Sequence, residues 1–243
     1  GLLNDVRKLG ERHDQTVKRF VALGLEPRDE PPSVVPPELH PELAIDAANQ
    51  DRLRRLHGLA DGARVVALMP GAEYGPAKRW PAASFGALAG GLARAGVHVL
   101  VLGSAKERPI GAEVAAAAAS ERVRNLCGET TLADVVDLIA AADAAVSNDS
   151  GLMHVAAAAG THVIAIYGSS SPSFTPPLAA AATVVYRGIE CSPCFARDCP
   201  LGHLRCLREI SPAEVLGAVE RAFSARGAAM PLFAPRAAED GGR

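Results

Sequence analysis

The feature that most constrains the fold is an alternation. Short runs rich in β-branched and aliphatic residues, RVVALMP (Arg64 to Pro70), HVLVLG (His98 to Gly103), Val123 to Cys127, Ala144 to Asn148, HVIAIYG (His162 to Gly168) and Ala182 to Arg187, are separated by alanine-rich segments with helical periodicity. Continuous apolar runs with no polar alternation are what strands buried on both faces look like, and such strands belong to parallel sheets. Parallel strands need crossovers, and right-handed crossovers place helices on both faces. The pattern therefore predicts a doubly wound α/β fold with a parallel, Rossmann-like sheet. Helices are expected over 46–59, 82–95 with Gly96 as a terminating residue, 107–119, a segment opened by a Thr131/Asp134 capping box and ending near Ala142, 152–159, and 211–225 with Ser211 as N-cap and Pro212 in the first turn. Aromatic residues are only 4% of the chain, so its core must be built from Val, Leu, Ile and close-packed Ala.

The flanks differ from this body. Within the first 25 residues Val17, Phe20, Val21, Leu23 and Leu25 recur at helical spacing, and one helix cannot bury such a face alone. Pro27, Pro31, Pro32, Pro36, Pro37 and Pro41 follow, and read as an extended connector. Two readings stand: a surface arm, or the remnant of a preceding domain (residues 1–45) joined to the main domain (46–226). Residues 227–243 are small, polar and broken by proline, and are expected to form a disordered tail.

Composition narrows the partners. Lysine and arginine number 25 against 27 acids, for a net charge of −2, and the pI is near 6.4, so there is no excess positive field to hold a nucleic-acid backbone and none is expected as partner. No stretch approaches the roughly 18 apolar residues of a membrane span, and the opening GLLNDVRKLGERHD has none of the regions of a signal peptide. The expected location is cytoplasmic.

In open α/β sheets ligands bind beyond the carboxyl ends of the strands, which directs attention to three loops. GAEYGPAKRWP (71–81) combines two glycines, which let backbone approach a ligand, with Lys78 and Arg79 beside Trp80. That composition suits a phosphate, although a solvated loop with Trp80 packed beneath it has the same letters. SNDSGLMH (147–154) runs from a strand into a helix. Asp149 and Ser150 are N-cap types, and Gly151 leaves the first N–H groups open to an anion that the helix dipole favours. Ser150 and His154 stand at i and i+4, with Asp149 one residue earlier, so the three could share a crevice; the alternative is a capped helix with His154 buried against the sheet. GSSSPSFTPP (168–177) offers hydroxyls and amides that could close over a base or ribose, or form an ordinary Ser/Pro turn.

Four cysteines, Cys191, Cys194, Cys199 and Cys206, follow a C-x2-C-x4-C-x6-C spacing with His203 among them, while Cys127 stands apart. A cytosolic protein does not keep disulfides, which leaves structural metal or reduced thiols in a packed excursion; the last two gaps match no standard finger or ribbon, and no metal ligand or cofactor is assigned. Hydride transfer on a dinucleotide is disfavoured, since no G-x-G-x-x-G follows the first strand.

The motifs GAEYGPAKRWP, LGSAKE (102–107), NLCGETTL (125–132), SNDSGLMHVAAA and IYGSSSPSFTPP, with the opening GLLND, resemble the ADP-heptose:lipopolysaccharide heptosyltransferases of type II, inverting two-domain glycosyltransferases of the GT-B architecture. The likeness runs from Gly1 to about Ala225 but matches only the C-terminal part of the family pattern. It implies that a preceding Rossmann-like domain would hold the acceptor and the acidic general base, and that this chain alone would be inactive without it. It also implies an ADP-heptose donor and an acceptor in the lipopolysaccharide inner core (heptosyl-Kdo-lipid A), with peripheral contact at the cytoplasmic face of the inner membrane. Residue by residue, it implies that Lys78 meets the diphosphate as the catalytic cation, that Asp149, Ser150, Gly151, Leu152 and His154 bind the nucleotide sugar with Arg79 nearby, and that Glu107 meets the ribose. Asp149 is expected to hold backbone amides or sugar hydroxyls, because a carboxylate free to approach the diphosphate would oppose it. A heptosyltransferase of type I, or a non-catalytic nucleotide- or metal-binding module, are the alternatives.

Overall fold

The computed structural model describes residues 10–26 and 29–225. The opening GLLND, Pro27 and the tail expected over 227–243 lie outside the described residues.

Six strands, β1 (Val65–Met69), β2 (His98–Val101), β3 (Val123–Asn125), β4 (Ala144–Asn148), β5 (Val163–Tyr167) and β6 (Ala182–Tyr186), form one sheet in the order β3-β2-β1-β4-β5-β6. Every pairing is parallel. Each strand falls within a run singled out by its composition, and the doubly wound α/β expectation holds. The helices are α1 (Thr16–Leu23), α2 (Ala47–Leu56), α3 (Ala82–Arg94), α4 (Arg108–Ala118), α5 (Leu132–Ala140), α6 (Gly151–Ala158), α7 (Arg205–Arg208) and α8 (Pro212–Ala225).

The continuous apolar runs work by alternation across two buried faces. On β1, Val66 and Leu68 pack with Phe85, Leu88 and Leu92 of α3, Val114 of α4 and Val219 and Phe223 of α8. Val65, Ala67 and Met69 pack on the opposite side with Leu53 of α2, Leu138 of α5 and Met153 of α6. Side-chain direction alternates along a strand, so both sets must be apolar when helices cover both faces. Local signals fix the helix ends. The Thr131 hydroxyl accepts from Asp134 N at 3.1 Å while the Asp134 carboxylate accepts from Thr131 N at 3.0 Å. Ser211 Oγ accepts from Glu214 N at 3.2 Å, and Gly96 just past α3 takes the left-handed conformation with φ +83°.

The N-terminal arm departs from the expected pattern. Phe20 and Leu23 of α1 are exposed, whereas Lys18 is buried. Its amine donates to Asp14 Oδ1 at 2.9 Å and to the Ser33 carbonyl at 2.5 Å. Periodicity identified the helix, whose Val17, Val21 and Leu25 are half-buried, but not the burial of a lysine satisfied at its tip. The connector is not extended throughout, and holds a short 3-10 turn at Pro37–Leu39.

Candidate functional site

The strand order reverses between β1 and β4, each of which continues into one of the glycine-containing loops. Two neighbouring strands whose crossovers leave in opposite directions open a crevice between their carboxyl ends. The crevice has a volume of about 340 Å³ and is walled by Gly71, Glu107, Leu132, Ser150, Gly151 and Leu152 among others. A second space of about 310 Å³ shares Ser104, Glu107, Leu132 and Leu152 as walls. The loop after β1, the turn after β2 and the start of α6 thus face one another.

Lys78 and Asp149 meet across the β1/β4 boundary. Lys78 Nζ lies 2.6 Å from Asp149 Oδ2, with side-chain exposures of 17% and 4%. The other Asp149 oxygen accepts from the Thr175 hydroxyl at 3.3 Å, and the Thr175 carbonyl accepts from the buried Tyr167 hydroxyl at 2.6 Å. Burial, with the Asp149 charge adding to it, holds the Tyr167 hydroxyl well above its ordinary pKa, so it remains a donor. The carboxylate therefore binds an ammonium and a hydroxyl. Within the chain these partners take the place of the backbone amides expected for it: an amine arriving from the neighbouring loop answers a desolvated carboxylate more fully than a neutral amide does. A lysine ammonium has three N–H donors and one is committed here. The Tyr74 ring lies 5.1 Å from the same nitrogen.

Asn148, a residue the sequence reading did not single out, sets the height of the lysine loop. Its buried amide donates to the Pro70 carbonyl at 2.8 Å, and its oxygen accepts from Trp80 N at 2.9 Å. Trp80 is fully buried and donates from Nε1 to the Ile210 carbonyl at 3.0 Å, with Phe85 edge-on at 4.9 Å. A polar amide at the end of an otherwise apolar strand was the available signal, since buried polar groups are retained where they have partners.

The start of α6 is open. Its N-cap, Ser150, makes no side-chain capping bond, and a Cβ added at Gly151 would meet no atom within 4 Å. The Ser150 hydroxyl lies 3.3 Å from that of Ser147. Leu152 lines the crevice, and His154 is exposed rather than buried against the sheet. Surrounding protein mass still desolvates the imidazole enough to lower its pKa, an effect that the Lys78 charge reinforces and the Asp149 charge opposes.

Glu107 is seated between two glycines. Its Oε2 accepts from Ser104 N at 2.7 Å, and a Cβ at Gly71 would fall 1.4 Å from its Oε1. Only glycine at position 71 leaves room for that carboxylate. Burial, with the Glu107 charge adding, pushes the nearby Cys127 thiol up to about 12, so it stays protonated. Arg79 does not join Lys78. Its guanidinium turns back to the Ala72 carbonyl through Nε (3.1 Å) and Nη2 (2.9 Å), and lines a separate opening with Glu73, Lys106 and Glu107. In the 168–177 loop Ser169 and Ser170 are buried, the residues from Ser171 to Pro177 are half-buried or exposed, and the Phe174 carbonyl accepts from Thr16 N of α1 at 3.1 Å.

A pre-set ammonium on Asp149, next to an uncapped helix start that borders a crevice with a glycine-floored acidic wall, suits a nucleotide diphosphate. Comparison with known proteins agrees in kind. A family model described as glycosyltransferase family 9 (heptosyltransferase) matches residues 1–205. The lipooligosaccharide heptosyltransferase 2 of Haemophilus influenzae is 41% identical over 191 residues, covering 76% of this chain and 55% of the relative. The lipopolysaccharide heptosyltransferase 2 of Salmonella typhimurium is 39% identical over 237 residues, covering 93% and 67%. The solved structure of the ADP-heptose lipopolysaccharide heptosyltransferase II of Escherichia coli superposes with a TM-score of 0.80 at 37% identity, covering 93% of this chain and 67% of that one. The chain spans between about half and two thirds of the length of these relatives. With the sheet order, the crevice loops and this extent of identity in agreement, the chain belongs to glycosyltransferase family 9, the heptosyltransferases.

Proposed function

We propose that this chain supplies the nucleotide-sugar-binding half, built on residues 46–226, of a type II heptosyltransferase that moves heptose from ADP-heptose to the inner core of lipopolysaccharide at the cytoplasmic face of the inner membrane. Residues 1–45 are read as the end of a preceding domain and its connector. The observation that carries the reading is the Lys78 ammonium held 2.6 Å from Asp149, one residue before the uncapped start of α6. In an inverting transfer negative charge grows on the departing ADP as the sugar gains oxocarbenium character. A cation and backbone N–H groups fixed where that charge appears favour the transition state over the bound donor. Lys78 uses a remaining N–H for the diphosphate, Gly151 and Leu152 present the helix N–H groups, and Ser150 and His154 border the same end. Glu107, at the far wall of the crevice, is placed for the ribose hydroxyls. Asp149 keeps the ammonium charged and aimed, and Arg79 shapes the loop from behind.

Among the described residues no helix is long and apolar enough to cross a membrane, and contact with the lipid surface is read as peripheral. Isothermal titration tests the donor site on the chain by itself. ADP is expected to bind, and adenosine to bind at least about tenfold more weakly, the value of one or two charge-assisted hydrogen bonds to the diphosphate. Equal affinity for the two in folded protein overturns the assignment.

A further inference from the structure

The segment 187–204, between β6 and α7, contains no helix or strand. An irregular stretch of this length keeps one conformation only when something outside regular hydrogen bonding restrains it. Of its large apolar side chains, Ile189 packs against the core and Phe195 stands edge-on to Phe174 at 5.8 Å, while Leu201 is exposed. The segment also carries thiols. Cys191, Cys194 and Cys199, with Cys206 from α7, line a single cavity of about 50 Å³ together with His203 and Ser169. All four are free of disulfides.

Two observations say what the cavity is for. Ser169, itself 1% exposed, lines this cavity, and its buried hydroxyl has no hydrogen-bond partner among the described residues. A buried hydroxyl left orphaned is costly, and a thiolate in the cavity would accept its proton. His203 Nδ1 accepts from Arg205 N at 3.0 Å, which leaves the proton of a neutral ring on Nε2, 4.0 Å from Cys191 Sγ. The imidazole is therefore a donor to that sulfur and not a fifth ligand.

We propose that Cys191, Cys194, Cys199 and Cys206 form a tetrathiolate site for one structural metal ion, with His203 and Ser169 as hydrogen-bond donors to its sulfurs. As the side chains stand, no three candidate ligands are grouped for a metal among the described residues, so metal binding requires the thiols to turn into the cavity that all four line. Four thiolates in tetrahedral array select zinc. The site also bears on Lys78. Arg197 presents its carbonyl to Ala77 N at 2.9 Å, Phe195 presents its own to the Tyr74 hydroxyl at 2.7 Å, and Ser169 N donates to the Ala77 carbonyl at 3.2 Å. A Cβ at Gly75 would lie 2.5 Å from the Arg197 carbonyl oxygen, so the two loops are in backbone contact. The metal-tied segment is thereby the outer brace of the lysine loop.

The test is metal analysis of the chain purified with reductant and without chelator. About one zinc per chain is expected, released in step with mercurial blockage of four thiols. Stoichiometric iron with a visible thiolate absorption band supports the same site with a different occupant. Cys194→Ser and Cys199→Ser are expected to lose the metal, and Cys127→Ser, outside the cavity, to keep it. Less than about a tenth of an equivalent of any transition metal in folded wild-type protein overturns the proposal, as does full retention in the Cys194→Ser/Cys199→Ser double variant. Chelator-stripped protein is expected to show faster hydrogen exchange over residues 72–79, and unchanged exchange there refutes the bracing role. Metal content is read without nucleotide, so this result stands apart from the donor-site assignment.

Discussion

Replacing Lys78 by Met keeps most of the side-chain volume and removes the charge, leaving the Asp149 carboxylate, 4% exposed, with only the Thr175 hydroxyl 3.3 Å away. Breaking a fully buried ion pair from one side costs about 3–5 kcal/mol. Lys78 is 17% exposed and one hydroxyl remains, so the lower end applies, about 3 kcal/mol, or roughly a 6–12 °C drop in melting temperature for a chain of this size. Loss of a charge-assisted bond to the diphosphate adds a separate penalty in ADP affinity of about 1–3 kcal/mol, roughly 5- to 150-fold. The Lys78→Met/Asp149→Asn double variant separates the two effects. It carries no stranded charge, so most of the lost stability is expected to return, while ADP affinity stays at least about fivefold below wild type. Thermal unfolding and isothermal titration on the four proteins of the cycle supply the numbers. A single variant that melts within about 2 °C of wild type shows that the pair is not desolvated. A double variant with wild-type ADP affinity shows that Lys78 only neutralises Asp149 and never meets the diphosphate.

Gly71→Ala would place a methyl 1.4 Å from Glu107 Oε1; the carboxylate must leave its seat, so discrimination between ADP and its 2′-deoxy analogue is expected to fall, and unchanged discrimination would remove Glu107 from the ribose. Folding lowers the pKa of His57, His98 and His154, each chiefly by desolvation, from an ordinary value of 6.5. The unfolded chain therefore binds protons first as pH falls through that value, so melting temperature is expected to be level above about pH 7 and to decline below about 6.5, with a shallower decline in His154→Gln. A melting temperature that rises on acidification from pH 7 to 5.5 would contradict that sign.

The fold was legible because its determinants are local. Six apolar runs, a capping box at Thr131 and Asp134, and a serine before Pro212 each declare an element within a few residues, and the parallel arrangement follows from what lies between the strands. The identity of the two important loops was also readable, since strand ends in such sheets are where ligands collect. The partnerships were not. Lys78 and Asp149 are 71 positions apart, and they meet because β1 and β4 are neighbours, a fact of strand order that no window of sequence contains. The same holds for Asn148 with Trp80 and for Thr175 with Asp149. Arg79, adjacent to Lys78, could not be told from it by composition; only the backbone direction after the 3-10 turn at Pro76–Lys78 sends one side chain to Asp149 and the other to Ala72. In the arm, helical spacing located α1 and an apolar face that the helix alone leaves partly open, with Phe20 and Leu23 exposed, but gave no sign that Lys18 would be buried on Asp14 and the Ser33 carbonyl.

Donor binding rests on an anion site at the junction of the lysine loop and α6, and a crystal structure of the chain with ADP reads that site directly. The β-phosphate is expected within hydrogen-bond distance of Lys78 Nζ and of the backbone N–H of Gly151 or Leu152, with the ribose toward Glu107. A diphosphate lodged elsewhere on the sheet edge, with Lys78 still bound to Asp149 alone, would contradict it.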